Sequence, residues 1–266
     1  MPGMKTQVRL LHGLGNTEFI EAEVKHRFPL HFHDTFVIQH IVGGADWCCC
    51  NNLTAARGEV FIHMPHAPHT GGSVGSENLR YRAIYPGADL FRELTGADVA
   101  NVPGAGARVV RDPQFVSLVG DLLRDCADGP AAGGTRVRSQ MKAVFETLLD
   151  SPQPARTKRS GSQPNLDKMK VARDYLSQHY SRDVTTAELS SVCHVSEYHL
   201  IRSFRRHFGI TPRQFLISRR VGEAKRLIAS GMTVASAAYE CGFADQSHLN
   251  RYFKKVTGYT PGQLRG

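Results

Sequence analysis

The sequence lacks any apolar run approaching the ~18 residues that a membrane-spanning helix requires. That absence excludes a helical membrane protein. Its opening stretch also lacks the uninterrupted apolar core of a secretory signal, because Lys5, Arg9, His12, Glu18, Glu21 and Glu23 break every apolar segment there. A cytoplasmic protein is expected. Cysteine is sparse: Cys48, Cys49, Cys50, Cys126, Cys193 and Cys241 include no zinc-type pair of cysteine pairs, and a chain without an export signal should keep its thiols reduced. What remains, 41% hydrophobic and 21% charged residues over 266 positions, is the composition of a globular protein long enough for two domains, each with its own core.

Positive charge is in excess, +9 overall, but it is unevenly placed. Residues 1–150 hold 14 Lys and Arg against 16 Asp and Glu, 151–164 hold three against none, and 165–266 hold 16 against eight. Clustered cations bind polyphosphate through counterion release, so the back of the chain points to nucleic acid and the near-neutral front does not. Between them, the stretch from Ser151 to Pro164 has three prolines, only basic charges and no apolar periodicity, which is the composition of a linker. Three parts are predicted: 1–150, a 151–164 linker, and 165–266.

Within the front part, Thr35–Val42, Glu59–His63 and Leu79–Tyr85 are rich in β-branched and aromatic residues and are punctuated by Gly43-Gly44 and Gly71-Gly72. A small antiparallel β-barrel is predicted. From about Asp112 the period changes to that of a helix, with one stripe through Phe115, Leu118, Val119, Leu122, Leu123 and Cys126 and another through Val137, Met141, Val144, Phe145, Leu148 and Leu149. Two amphipathic helices should follow the barrel.

The back part reads as all-α and internally repeated. A shift of 49 residues, without a gap, places His199-Leu200 on His248-Leu249, Arg202 on Arg251, Phe204 on Phe253, Gly209 on Gly258, Thr211-Pro212 on Thr260-Pro261 and Gln214 on Gln263. In the first copy Thr185 or Thr186 caps a helix reaching Cys193, and Ser196 caps a second running to about Phe208. That is a helix-turn-helix. Leu200, Phe204 and Phe208 recur every four residues and should face the core, which leaves Glu197, Tyr198, Ile201, Arg202 and Arg205 outside. In the second copy Leu249 and Phe253 face inward and Gln246, Ser247, Asn250, Arg251 and Lys254 outward, a set of amide and guanidinium groups suited to paired hydrogen bonds with base edges. The second copy is therefore the expected stronger base reader. Between the copies, Thr211 and Pro212 start a helix that Gly231 ends, with Ile217, Val221, Ala224, Leu227 and Ile228 on one face. It spans about 28 Å, near the ~34 Å between successive major-groove faces, so one chain can reach two groove segments.

These residues carry a resemblance. Residues 166–265 resemble the DNA-binding module of the AraC/XylS family of bacterial transcription regulators, above all through the run Ala237-Ala238-Tyr239-Glu240-Cys241-Gly242-Phe243-Ala244-Asp245-Gln246-Ser247-His248-Leu249-Asn250-Arg251-Tyr252-Phe253-Lys254-Lys255. The first unit is looser, and Ile201 falls where family members often carry a polar base-contacting residue. The resemblance implies double-stranded promoter DNA as partner, contact with RNA polymerase, and pairing of two protomers through the front part, for which Leu118, Leu122, Val144 and Leu148 are the expected contacts.

In the front part, Arg27 to Asp34, Gly58 to His69 and Tyr81 to Pro86 look like the cupin-type effector domain of the same family, which implies a small-molecule effector. His31 and His33 are two apart, so on a strand both imidazoles share a face, and with His69 they would line a pocket if that face is the barrel lumen. Three convergent imidazoles suit a metal, but a metal cupin usually adds a glutamate after its His-x-His pair, and Thr35 to Ile38 supply none. His31, His33 and His69 are therefore assigned to the effector, with no metal and no cofactor; His63 and His66 are read as ordinary strand or loop residues. In Cys48-Cys49-Cys50 the alternation of a strand turns Cys49 away from its neighbours, so the three are read as small packing residues. The expected protein is a cytoplasmic, non-enzymatic regulator. The alternative is a metal-dependent cupin enzyme carrying a DNA-binding tail, which stoichiometric metal and turnover of a small substrate would reveal. A third reading, an architectural DNA binder with a vestigial barrel, requires DNA affinity that no small molecule alters.

Overall fold

A computed structural model describes residues 5–25, 27–49, 52–103, 106–128, 134–151 and 165–264. The chain forms two compact units: one holds the described residues before 152 other than Leu30–Phe32, and the other holds those after 164 together with Leu30–Phe32. Residues 152–164, which hold nearly all of the expected linker, lie outside the described residues, as does Cys50.

The front unit is β-rich. Strands β1 (Lys5–Leu11), β2 (Thr17–Val24), β3 (Val37–Gly43), β6 (Val60–His63), β7 (Leu79–Tyr85) and β8 (Ala107–Val110) form an antiparallel sheet in the order β1-β2-β7-β3-β6-β8. A separate ribbon pairs β4 (Ala45–Cys48) with β5 (Leu53–Ala56). The three strand segments expected from sequence are β3, β6 and β7. Cys48 is buried at the end of β4 and Cys49 is exposed just beyond it.

Register divides the large sheet into two faces. Ile38 stands opposite Ile62 and Ile84, and this face packs under helices α1 (Ala88–Thr95), α2 (Pro113–Ala127) and α3 (Thr135–Asp150). Asp112 caps α2 by accepting a 2.8 Å bond from the Phe115 amide, and Pro113 follows at the first helical position, where a missing N–H matters least. Phe36, Phe91 and Phe145 meet with ring centroids 4.9–5.5 Å apart. The apolar stripes of α2 and α3 are consumed here, and this overturns most of the expected dimer contact. Leu122, Val144 and Leu148 are 0, 0 and 1% exposed, so they have no surface left for a second protomer; Leu118 is only partly buried.

The back unit comprises α4 (Leu166–Gln178), α5 (Thr186–Val192), α6 (Glu197–Phe208), α7 (Pro212–Ala229), α8 (Val234–Glu240) and α9 (Gln246–Thr257), closed by a short 3₁₀ turn, Pro261–Leu264. Every helix after α4 starts on a side-chain cap: Thr185, Ser196, Thr211, Thr233 and Asp245 each accept from a backbone amide. Helices α6 and α9 are offset by the expected 49 residues, but α5 and α8 are offset by 48. The reason lies in the turns. His194 (φ 50°) and Gly242 (φ 73°) occupy the same left-handed position after α5 and α8, and one extra residue then precedes the cap of α9. The repeat is therefore gapless only from its second helix onward.

Helix α7 also departs from expectation. Val221, Ala224 and Ile228 are buried as predicted and Ile217 and Leu227 are half-buried, but Phe215, Leu216, Arg220, Glu223 and Lys225 are buried too. A one-faced stripe was the wrong description because both repeats close around this helix. Phe208, expected in the core, is half-buried, its ring 4.8 Å from Phe204 and 5.6 Å from the Arg173 guanidinium. No helix among the described residues is long and apolar enough to cross a membrane.

Candidate nucleic-acid interface and effector face

Helices α6 and α9 have the same length, the same register and the same polarity of burial. Leu200 and Phe204 on one, and Leu249 and Phe253 on the other, are fully buried, which pins the opposite side of each helix toward solvent. On α6 this exposes Glu197, Tyr198, Arg202 and Arg205, with Tyr198 73% and Ile201 42% exposed. On α9 Gln246, Ser247, Arg251 and Lys254 are exposed, while Asn250 is half-buried. The Arg251 guanidinium lies 5.3 Å from the ring centre of Tyr252, which limits its rotamers and presents its fork outward. Both helices have left-handed glycine C-caps, Gly209 and Gly258, and cations gathered in the last turn, where the helix dipole favours positive charge.

The front unit brings His33 and His69 together, their ring centroids 5.1 Å apart, whereas His31 falls in the Leu30–Phe32 segment that groups with the back unit. The expected strand alternation does not apply, because His31 and His33 belong to no strand but to the segment before β3. His31 and His69 are buried and His33 is half-buried. His69 Nδ1 stands 2.8 Å from the Ala67 carbonyl; a carbonyl only accepts, so Nδ1 carries the hydrogen and Nε2 the lone pair. Burial pushes the His69 pKa down to about 4, so the ring is neutral at physiological pH.

Sequence reasoning passed over the surroundings. His63 stacks on His69 at 4.0 Å, and Tyr85 meets His33 edge-on at 5.3 Å. The sheet face opposite the helices carries Gln39, His63 and Tyr81, all buried, and Gln39 Nε2 donates to buried Asp46 at 2.9 Å while the Gly72 amide donates to the same carboxylate at 2.6 Å. The available signal was polar residues at inward positions of otherwise apolar strands, such as Gln39 between Ile38 and Ile41. His66, by contrast, is exposed and 3.4 Å from Asp34.

Desolvation raises the Asp46 pKa from 3.8 to about 6, and its three hydrogen-bond donors only partly oppose that. Because the folded-state value is raised, the native protein takes up a proton that the unfolded chain does not between about pH 4 and 6. Stability is thus greatest below the unfolded value and falls as pH rises through the folded one, by about 3 kcal/mol for a shift of this size. Asp46→Asn removes that contribution. Denaturant titrations of both proteins between pH 4 and 7 should show the wild type losing stability relative to the variant; parallel pH profiles would refute the assignment.

Sequence profiles place these two sites in known domains. An AraC-like ligand binding domain matches residues 14–149, and a helix-turn-helix domain matches residues 189–266. The chain belongs to the AraC family of transcription regulators. Among its relatives in that family is an uncharacterized HTH-type transcriptional regulator of Bacillus subtilis, YbfI, which is 28% identical over 85% of this chain and 82% of its own. The HTH-type transcriptional activator RhaS of Yersinia pestis is 26% identical over 90% of this chain and 89% of its own. Among solved structures, ToxT from Vibrio cholerae is similar over the full length of both chains with a TM-score of 0.57 at 13% identity, a likeness of fold. An AraC-type regulator of this kind joins a ligand-binding front domain to a DNA-binding helix-turn-helix domain, the same order as the units described above.

Proposed function

We propose that α9 is the principal base-reading helix of this regulator, that α6 supplies a weaker second contact, and that a small-molecule effector bound near His31, His33 and His69 modulates promoter binding. The observation that supports this reading is the pair of twelve-residue helices in common register, each with its apolar side buried and its cationic and amide side exposed. Such a pair suits two successive major-groove segments of one DNA duplex. Gln246, Ser247, Asn250 and Arg251 offer hydrogen bonds to bases, whereas Ile201 leaves α6 less polar at the position matching Asn250. Glu197, Tyr198, Arg202 and Arg205 complete the first contact. The protein acts by binding and not by catalysis, in the compartment that holds the DNA, as a dimer paired through the front domain and in contact with RNA polymerase.

Arg251→Ala should weaken binding by about 1–3 kcal/mol and relax preference at one base pair, because a guanidinium fork reads guanine O6 and N7 together. Lys254→Ala should weaken binding to all sequences alike and lower the salt slope by about one, since only a phosphate contact is lost. Site selection from randomised DNA with the full chain, wild type against Arg202→Ala and Arg251→Ala, tests the hierarchy. If the Arg202 change broadens the selected motif more than the Arg251 change, α9 is not the main reader.

A further inference from the structure

We propose that Tyr198 and Ile201 on α6 read the C5-methyl group of thymine, so that one segment of the binding site is selected by apolar contact and not by hydrogen bonding. This rests on the assignment of α6 as a groove-facing helix and names what that helix reads. Few large apolar side chains are exposed among the described residues, and α6 holds two of them, Tyr198 at 73% and Ile201 at 42%. They stand three residues apart, which sets them side by side on a helix with Cβ atoms about 5–6 Å from each other. Leu200 and Phe204 hold the opposite side of α6 in the core, so neither Tyr198 nor Ile201 can turn inward without unseating them.

The neighbours of the pair fix the kind of partner. Arg202 and Arg205 are exposed one turn after Tyr198 and Ile201, and the last turn of the helix gathers Arg205, Arg206 and His207. An apolar pair bordered by cations matches a surface that is anionic along its rims and apolar within. The major groove at a thymine is such a surface: phosphates line its edges, and the thymine methyl is the apolar group among the base edges. The Ile201 side chain has no hydrogen-bonding atom, so the methyl is the feature of a base edge that it can select. The matching positions on α9 are Ser247 and Asn250, which do hydrogen-bond. The two helices of the repeat therefore differ in what they read and not only in strength.

The test uses the full chain and the DNA site that it selects from randomised sequence. Each thymine of that site is replaced in turn by deoxyuridine, which lacks the C5-methyl and keeps every hydrogen-bonding atom. At least one replacement should weaken wild-type binding about fourfold, the worth of one buried methyl group. Ile201→Ala and Tyr198→Ala should bind the thymine site more weakly, and in both the penalty for deoxyuridine at that position should vanish. Tyr198→Phe keeps the ring and should keep the penalty, as should Arg251→Ala, which acts in the other segment. Tyr198 and Ile201 are exposed, so their variants should fold. A site in which no deoxyuridine costs affinity, or a penalty that persists in both alanine variants, would overturn the proposal. Undiminished binding of both alanine variants to the thymine site would overturn it too, and would mark the pair as a surface for another protein. The ranking of α9 over α6 is judged separately, by Arg202→Ala against Arg251→Ala, so either assignment can fail while the other stands.

Discussion

Gly242→Ala should lower the melting temperature of the back unit by about 12–24 °C, following a loss of roughly 3 kcal/mol for a domain of about 100 residues. Two causes add. The residue lies at φ 73°, where a Cβ costs about 1–2 kcal/mol. That Cβ would also stand 2.5 Å from the Ser181 carbonyl oxygen and 2.8 Å from its carbon. Both are backbone atoms, and the residues flanking them, Tyr180 and Arg182, are tied through their own carbonyls to Arg220, so the chain there has little freedom to retreat. The first repeat supplies a control of opposite sign. His194 occupies the equivalent left-handed position at φ 50°, so His194→Gly should be neutral to stabilising, by about 0.5 kcal/mol once the extra freedom of glycine in the unfolded chain is deducted. Thermal denaturation of the three proteins settles it; a Gly242→Ala protein that melts with the wild type would show that the turn relaxes.

Arg220→Ala should be of comparable severity and should also uncouple the two repeats. The buried guanidinium donates to three backbone carbonyls, Tyr180 at 2.7 Å, Arg182 at 2.9 Å and Gly242 at 2.6 Å, joining the loop after α4 to the turn after α8 from a position on α7. Hydrogen bonds from a charged donor contribute about 1.5–3 kcal/mol each before relaxation, so a net loss of about 3–4 kcal/mol is expected. The ion pair with Asp183 adds little, because it is 3.5 Å long and that carboxylate is almost wholly exposed. Arg220→Lys should not rescue, since a single ammonium cannot span three carbonyls fanned around a planar fork. Two readouts separate stability from coupling. Denaturation measures the first, and affinity for a two-segment DNA site, taken well below the melting temperature, measures the second. Arg220→Lys with wild-type values of both would sink the proposal that this side chain sets the placement of α6 relative to α9.

Much of this architecture was legible in the residues. Thr185, Ser196, Thr211 and the capping glycines mark helix ends through local hydrogen bonding, and local chemistry is what a sequence displays directly. The apolar rows Leu200–Phe204 and Leu249–Phe253 determine, by the 3.6-residue period alone, which sides of α6 and α9 remain exposed. The 49-residue offset was visible for the same reason, since both recognition helices carry the same pattern; the 48-residue offset of α5 and α8 was not, because one turn residue leaves the apolar pattern intact.

What the residues by themselves determined, then, was the two-part division of charge, the duplicated helical unit, and the identity of the outward-facing side chains, all consequences of periodicity and short-range capping. Tertiary structure decided the rest. An apolar stripe records that a helix face must be buried but not against what, so only the packed fold assigned Leu122, Val144 and Leu148 to the interior of the front unit in place of a second protomer. The meeting of His33 with His69 and with Tyr85, and the bond from the Gly72 amide to buried Asp46, each join residues distant in sequence. Such contacts depend on strand register and on the course of segments outside any strand, neither of which a local pattern encodes.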